Sequence, residues 1–230
     1  MKNKTVTLAL GVAAALAASG AYADNAGPND VRVGMYFVYF DSHATDISGP
    51  YAPSGLNLKV NNLETLYLAY VRSFSNHFKV ELAFGWPPLT KTVGSGPATL
   101  GSVPYNGQTI ATARWLSPTL LAEYEFGDAN SRLRPYVGAG VNYTKFLSRQ
   151  STAAGDAASG GPTSISLPSS LGPAVTAGLS YEITDRWHVY ASYSVARVNS
   201  HLTADTAGIL RTSQIEFWPM TLVVSAGYSF

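Results

Sequence analysis

From Trp218 to the C-terminus the chain alternates. Trp218, Met220, Leu222, Val224, Ala226, Tyr228 and Phe230 form one set, and Thr221, Val223, Ser225, Gly227 and Ser229 the other. Successive side chains of a strand point to opposite faces, so this is a strand with one apolar face and one nearly polar face. The pattern recurs in FKVELAFGW, where Phe78, Val80, Leu82, Phe84 and Trp86 oppose Lys79, Glu81, Ala83 and Gly85. It recurs again in LSPTLLAEYEF, LRPYVGAGVNYTKF, GPAVTAGLSYE and RWHVYASYSV, and two earlier segments, VRVGMYFVYF and LETLYLAYVRS, complete a count of eight predicted strands.

The connections alternate in length. FSNH, GDANSR and ITDR are polar turns of hairpin size. The other links, roughly residues 41–62, 87–115, 147–170 and 197–216, are long and rich in Gly, Pro, Ser, Thr and Asn. An even meander with short turns at one end and long loops at the other predicts an all-β fold, an eight-stranded antiparallel up-and-down transmembrane β-barrel. A soluble eight-stranded barrel of lipocalin type is the competitor, and it would place apolar side chains inside. Here the apolar face carries aromatic residues near strand ends, among them Trp86, Tyr124, Phe126, Tyr181, Trp187 and Trp218, as interfacial girdles require. The opposite face carries charges that a small dry core would have to bury unpaired. The apolar face is therefore assigned to lipid.

Residues 1–23 read as a secretory signal: Lys2 and Lys4, an apolar stretch, then Ala-Tyr-Ala before a cleavage site preceding Asp24. Residues 24–230 are then the barrel domain. The chain holds 15 basic and 14 acidic side chains; without Lys2 and Lys4 the balance is −1, too weak a field to recruit nucleic acid. No cysteine occurs, so disulfides and thiol chemistry are excluded. No apolar run after Asp24 is long enough for a membrane helix, which leaves a closed barrel as the only way into a membrane.

The segments FGDANSRLRPYVGAGVNYTKF, SPTLLAEYEFGDA and the final GYSF resemble the OmpW family of small outer-membrane barrels, and the spacing is similar from about Val31 to Phe230. The resemblance implies location in the cell outer membrane and passage of small hydrophobic molecules, some relatives being linked to alkane or naphthalene uptake. It also implies a terminal aromatic read by the barrel-assembly machinery, here Phe230 with Tyr228 two residues before it. Outer-membrane lipid, hydrophobic solutes and that machinery are the partners expected.

With short turns in the periplasm, the polar face can be read by depth. Near the periplasmic end the lumen receives Arg32, Arg72, Lys79, Glu81, Glu123, Glu125, Arg134 and Glu182, with His188 beside them. Toward the outside it receives Val38, Phe40, Leu66, Leu68, Leu121 and Phe146. The second strand is apolar on both faces, and a slip of one residue reverses Leu66 and Leu68. The charges read either as a salt-bridged plug filling a narrow barrel or as one floor of a transport path. An apolar solute entering from outside meets that floor at a cost, so its easier exit is sideways into the bilayer. Proline donates no ladder bond and either opens the wall or merely ends a strand; Pro87, Pro88, Pro104, Pro118, Pro168, Pro173 and Pro219 stand near extracellular strand ends. A structural or adhesive barrel working through its long loops is the alternative function.

Enzymatic readings carry less. His188 and Ser192 share a face but lie four residues apart, roughly 13 Å along a strand, beyond reach for a nucleophile and its base. Gly138-Ala139-Gly140 lacks the third glycine and helix of a dinucleotide fingerprint. His43 with Asp41 and Asp46 reads as solvated loop rather than a metal site. No cofactor, metal or catalytic residue is expected.

Overall fold

The computed structural model describes residues 27–96 and 105–230; the predicted leader and Pro104 lie outside them. Thirteen strands are present among the described residues: β1 (Asn29–Ala44), β2 (Asn57–Val60), β3 (Leu63–Ser73), β4 (Phe78–Gly85), β5 (Leu89–Ser95), β6 (Thr109–Leu116), β7 (Thr119–Glu125), β8 (Leu133–Ser151), β9 (Thr163–Ser166), β10 (Ser170–Glu182), β11 (Trp187–Ala196), β12 (Val198–Thr206) and β13 (Ile209–Ser229). One short helix, α1 (Ala153–Ser159), is capped by the Thr152 hydroxyl, which accepts from Gly155 N. Eight strands close into a ring in the order β1, β3, β4, β7, β8, β10, β11, β13 and back to β1, every pairing antiparallel. The last pairing runs from Asp30↔Ser229 to Ala44↔Ile215, and reciprocal backbone bonds between Asn29 and Phe230 end it.

The remaining strands continue the ring upward. β2 extends β3, β5 extends β4, β6 extends β7 and β12 extends β11, while β1, β8 and β13 run through both levels. With 21 residues, β13 is about 70 Å of strand, where about 9–11 tilted residues cross a bilayer. Much of what reads in the sequence as long loop is thus strand projecting beyond the membrane. There the outer face meets water instead of lipid, so the apolar alternation that marks a spanning strand fades while the ladder persists.

Around the ring the outer face is apolar and exposed, as Val33 (47%), Val137 (45%), Leu179 (47%) and Val224 (52%) show, which is the outward apolar band a bilayer requires. Trp86, Phe126, Trp187 and Phe230 are exposed on the same side. Strand β3 corrects the expected register. Tyr67, Ala69 and Val71 are buried, whereas Leu66 is 39% exposed and Leu68 pairs with exposed Val33 and Phe84. Leu66 and Leu68 therefore face lipid, not the lumen. Arg72 also departs from the expected lumen position: its register is that of Leu66 and Leu68, it pairs with Asn29, and it is buried at the rim, donating to Asn29 Oδ1 at 3.0 Å apart from the ion pairs of the lumen. With both faces apolar, β3 takes its register from its neighbours, and Arg32↔Ala69 sets it.

Candidate functional site

At the periplasmic end, β1, β4, β7, β8, β10 and β11 aim polar side chains at one point. Arg32 is its centre, fully buried, with Nη1 2.6 Å from Glu81 Oε2, Nε 3.2 Å from Asp30 Oδ2 and Nη2 3.7 Å from Glu123 Oε2. Its guanidinium lies 3.8 Å from the centroid of the Tyr190 ring. Tyr190 donates to Asp30 at 2.7 Å and Tyr67 to Glu81 at 3.0 Å. Beside this group Glu125 meets Lys79 at 2.7 Å and Arg134 at 2.9 Å, and accepts from the Ser180 hydroxyl. Charges taken out of water this completely persist only when paired and hydrogen-bonded. Lys79, Glu81, Glu123, Glu125 and Arg134 thus join Arg32 in the floor. Asp30, which the sequence did not single out, completes it, while Glu182 lies half-buried opposite His188, apart from these ion pairs. Two inward glycines make room for the rings: a Cβ at Gly178 would stand 2.7 Å from Tyr136 Cζ, and one at Gly227 2.7 Å from Tyr190.

Above the floor is a cavity of about 120 Å³, of the order of the roughly 150 Å³ apolar cavity that accepts benzene. Val38, Phe40, Leu121, Tyr36, Tyr67 and Val223 line it, and Glu81 forms its base. Its wall also holds a belt of hydroxyl and amide groups. They satisfy one another: Ser117 with Thr144 at 2.9 Å, Asn142 to Thr119 at 2.8 Å, Thr144 to Asn142 at 2.8 Å and Ser194 to Thr176 at 2.9 Å. A wall whose polar groups are mutually bonded presents little unpaired polarity to a solute.

Four rings roof the cavity. Trp115 contacts Phe40 (4.9 Å between centroids), Phe146 (5.0 Å) and Phe217 (5.3 Å), each near edge-to-face. Phe146 belongs to this roof and to the apolar core of the projecting section with Leu56, Leu58, Leu202 and Ile215, rather than to the cavity wall itself. Beyond it lie cavities of about 30 and 80 Å³, the outer one beside α1. The sequence reading missed Trp115, Ile215 and Leu202 because they stand in segments read as loop, and Phe217 because it borders one. A signal existed: in ATARWL the inward set is Ala111, Ala113 and Trp115, a period of two over a short stretch.

One seam in the wall borders this cavity. The β4–β7 ladder stops at Ala83↔Thr119 and the β5–β6 ladder resumes at Leu89↔Arg114, one residue out of register. Pro87, Pro88 and Pro118 occupy the interval, and Gly85, Pro88, Ser117 and Thr119 line the cavity there. Trp115 N donates to Pro88 O at 3.4 Å, a long bond. Pro219 lies within the continuous strand β13: it pairs with Phe40 of β1, and only the pairings on its other side skip, from Val195↔Met220 to Val198↔Phe217. Pro168 and Pro173 act as acceptors, their carbonyls bonding Ser200 Oγ and Arg197 N.

Three histidines have polar partners: His188 Nε2 lies 3.1 Å from Ser229 Oγ, His77 Nδ1 2.9 Å from Glu125 O and His201 Nδ1 3.3 Å from Gln214 Oε1, and the His77 ring also stacks on Tyr124. Asp46 accepts from Gly55 N at 2.8 Å and Asn57 Nδ2 at 3.1 Å. At the other end of the chain, Tyr228 packs on Trp187 with 5.1 Å between centroids, and Phe230 is 56% exposed.

Comparison with known proteins gives a consistent picture. The family model described as the OmpW family matches residues 25–230. Outer membrane protein W of Escherichia coli strain K12 is 33% identical over 230 residues, covering all of both chains. The Pseudomonas aeruginosa protein named dibenzothiophene metabolism operon protein PahQ is 26% identical over 88% of this chain and 89% of its own. Among solved structures, the crystal structure of the outer membrane protein OprG from Pseudomonas aeruginosa superposes with a TM-score of 0.76 at 23% identity, over 88% of this chain and 95% of that one.

Proposed function

The chain belongs to the OmpW family of outer-membrane β-barrels, and from that premise we propose that it gives passive passage to small hydrophobic molecules. The path runs from the projecting section past the Trp115 roof into the cavity, and leaves sideways through the seam at Pro87, Pro88 and Pro118. The observation that carries this reading is the cavity's position between the two: several of its polar wall groups are bonded to one another, its base is ionic, and its side borders an interrupted ladder. Straight passage would drive an apolar solute into the Arg32 cluster, whose charges it cannot compensate. Lateral exit delivers it to hydrocarbon instead. The name of PahQ associates that relative with a flat apolar heterocycle, and a small aromatic solute of that class is the one this path would take.

The test is uptake of an arene fluorophore by proteoliposomes, normalised to folded barrel. Phe40→Glu places an unpaired carboxylate in the roof and lowers flux about tenfold or more, since tenfold is only about 1.4 kcal/mol of barrier. Phe40→Leu keeps most of the flux. In the wild type the fluorophore appears in the bilayer before the vesicle interior. Unchanged flux in Phe40→Glu overturns the path, and flux with the interior filling first overturns the lateral exit.

Tyr228 and Phe230 are read within the same proposal as the assembly signal. Removing Phe230 slows insertion by the assembly machinery while uptake per folded barrel stays at the wild-type value. Pulse-labelled assembly into outer-membrane vesicles reads the first quantity and the liposome assay the second.

A further inference from the structure

The outer face of the projecting section is electrically lopsided. Lys59, Lys91, Arg114 and Lys145 stand on β2, β5, β6 and β8, and each alternates with buried or inward neighbours: Leu58, Thr90, Ala113, and Thr144 with Phe146. All four side chains therefore point outward. The registers bring them together. Lys59 pairs with Val93, two residues from Lys91; Lys91 pairs with Thr112, two residues from Arg114; Arg114 pairs with Leu147, two residues from Lys145. Each cation is the diagonal neighbour of the next, a separation of about 7–8 Å. Exposed Arg149 follows on β8. No Asp or Glu occurs in β2, β5 or β6, or in β8 from Tyr143 to Ser151. Arg114 donates to Pro87 O and Arg149 to Leu167 O, so even their hydrogen bonds go to neutral carbonyls. On the other side of the barrel the cation is matched: Arg197 pairs with Glu216 at 2.9 Å.

The stripe sits directly on the lipid-facing belt. Leu89, 49% exposed, is two residues below Lys91, and Val141, 47% exposed, is four below Lys145. A row of cations at the outer edge of a hydrocarbon belt lies at headgroup height, where each is worth roughly fivefold in attraction to an anionic surface. The outer leaflet of an outer membrane is built on phosphorylated glycolipid. We infer that Lys59, Lys91, Arg114 and Lys145 form a docking surface for the phosphate groups of that glycolipid, fixing the barrel's height and rotation beside the Pro87–Pro88 seam. This goes beyond solute passage and does not depend on it.

The experiment places the whole folded chain in nanodiscs of phosphatidylcholine with either bisphosphorylated or dephosphorylated lipid A, and counts retained lipid A by native mass spectrometry. The wild type retains the phosphorylated form at least tenfold more, and 0.5 M NaCl erodes that preference because exposed charges are screened. A Lys59→Gln/Lys91→Gln/Lys145→Gln variant, which leaves Arg114 and its bond to Pro87 intact, retains the two lipids about equally, because three charges at roughly fivefold each outweigh a tenfold preference. Arg197→Gln, whose charge is already paired, retains it. Equal retention of both lipids by the wild type, or an undiminished preference in the triple variant, overturns the inference. So does complete displacement of the lipid by a soluble sulfated glycan at equal phosphate-to-sulfate ratio, which would make the stripe a glycan site. Heat-modified mobility on gels verifies that each variant is folded.

Discussion

Arg32→Met lowers the barrel's unfolding free energy in vesicles by about 3–5 kcal/mol, the cost of breaking a buried ionic group by removing one partner. The guanidinium is shared by Asp30, Glu81 and Glu123, and its face covers Tyr190. Methionine fills part of the volume but leaves three carboxylates crowded in a space closed to water. Adding Glu81→Gln and Glu123→Gln to Arg32→Met recovers much of the loss, because neutral amides of the same shape no longer repel. Urea unfolding followed by tryptophan fluorescence measures both. A deficit below about 1 kcal/mol in the single variant, the range of an exposed pair, would show that the cluster is hydrated and not a floor. Uptake per folded barrel changes little in the triple variant if solute leaves above the floor, so the same proteins also probe the route.

Leu68→Lys should cost about 2–4 kcal/mol of folding free energy, the penalty for a cation on the lipid face near the bilayer midplane. Leu68 lies between Val33 and Phe84, both exposed on the outer face. The expected result is a fall in the folded fraction on heat-modified gels, with solute flux per folded barrel unchanged. Normal folding with reduced flux would instead put Leu68 in the lumen. The neighbouring positions sharpen the contrast: Tyr67 and Ala69 are buried inside, so a lysine there clashes with the wall and the Arg32 cluster instead of with lipid.

The eight strands of the ring, their order and the face given to lipid on most of them were legible in the amino-acid sequence. These follow from alternation, which is local: every second residue from Met220 to Phe230, or from Phe78 to Trp86, must suit hydrocarbon whatever the rest of the chain does. The polar turns at residues 74–77, 127–132 and 183–186 were legible for the same reason. Much of the charged floor could also be located, because Arg32, Glu81, Glu123 and Glu125 each fall on the minority face of an otherwise apolar strand. Val38, Phe40 and Leu121 could be placed inside by the same parity.

Where both faces of a strand are alike, parity gives no direction. Leu66 and Leu68 lie in such a strand, and only pairing of Ala69 with Arg32 and of Leu68 with Phe84 orients them. Arg72 was misread with them, since its face depends on that register. The projecting strands were hidden because water on their outer side removes the demand for apolar residues, leaving small, polar and cationic ones that read as loop. Trp115 and Phe217 stand 102 residues apart in sequence, yet their ring centroids are 5.3 Å apart. Glu81 and Arg32, 49 residues apart, meet at 2.6 Å. By itself the sequence determined eight strands, their faces and their membrane, since each is set by a residue and its near neighbours against a solvent. The tertiary structure alone decided the register of β3, the ion pairs of the floor, the aromatic roof and the diagonal row of cations. Each depends on which residues of distant strands are hydrogen-bonded opposite one another, and ring closure imposes that pairing.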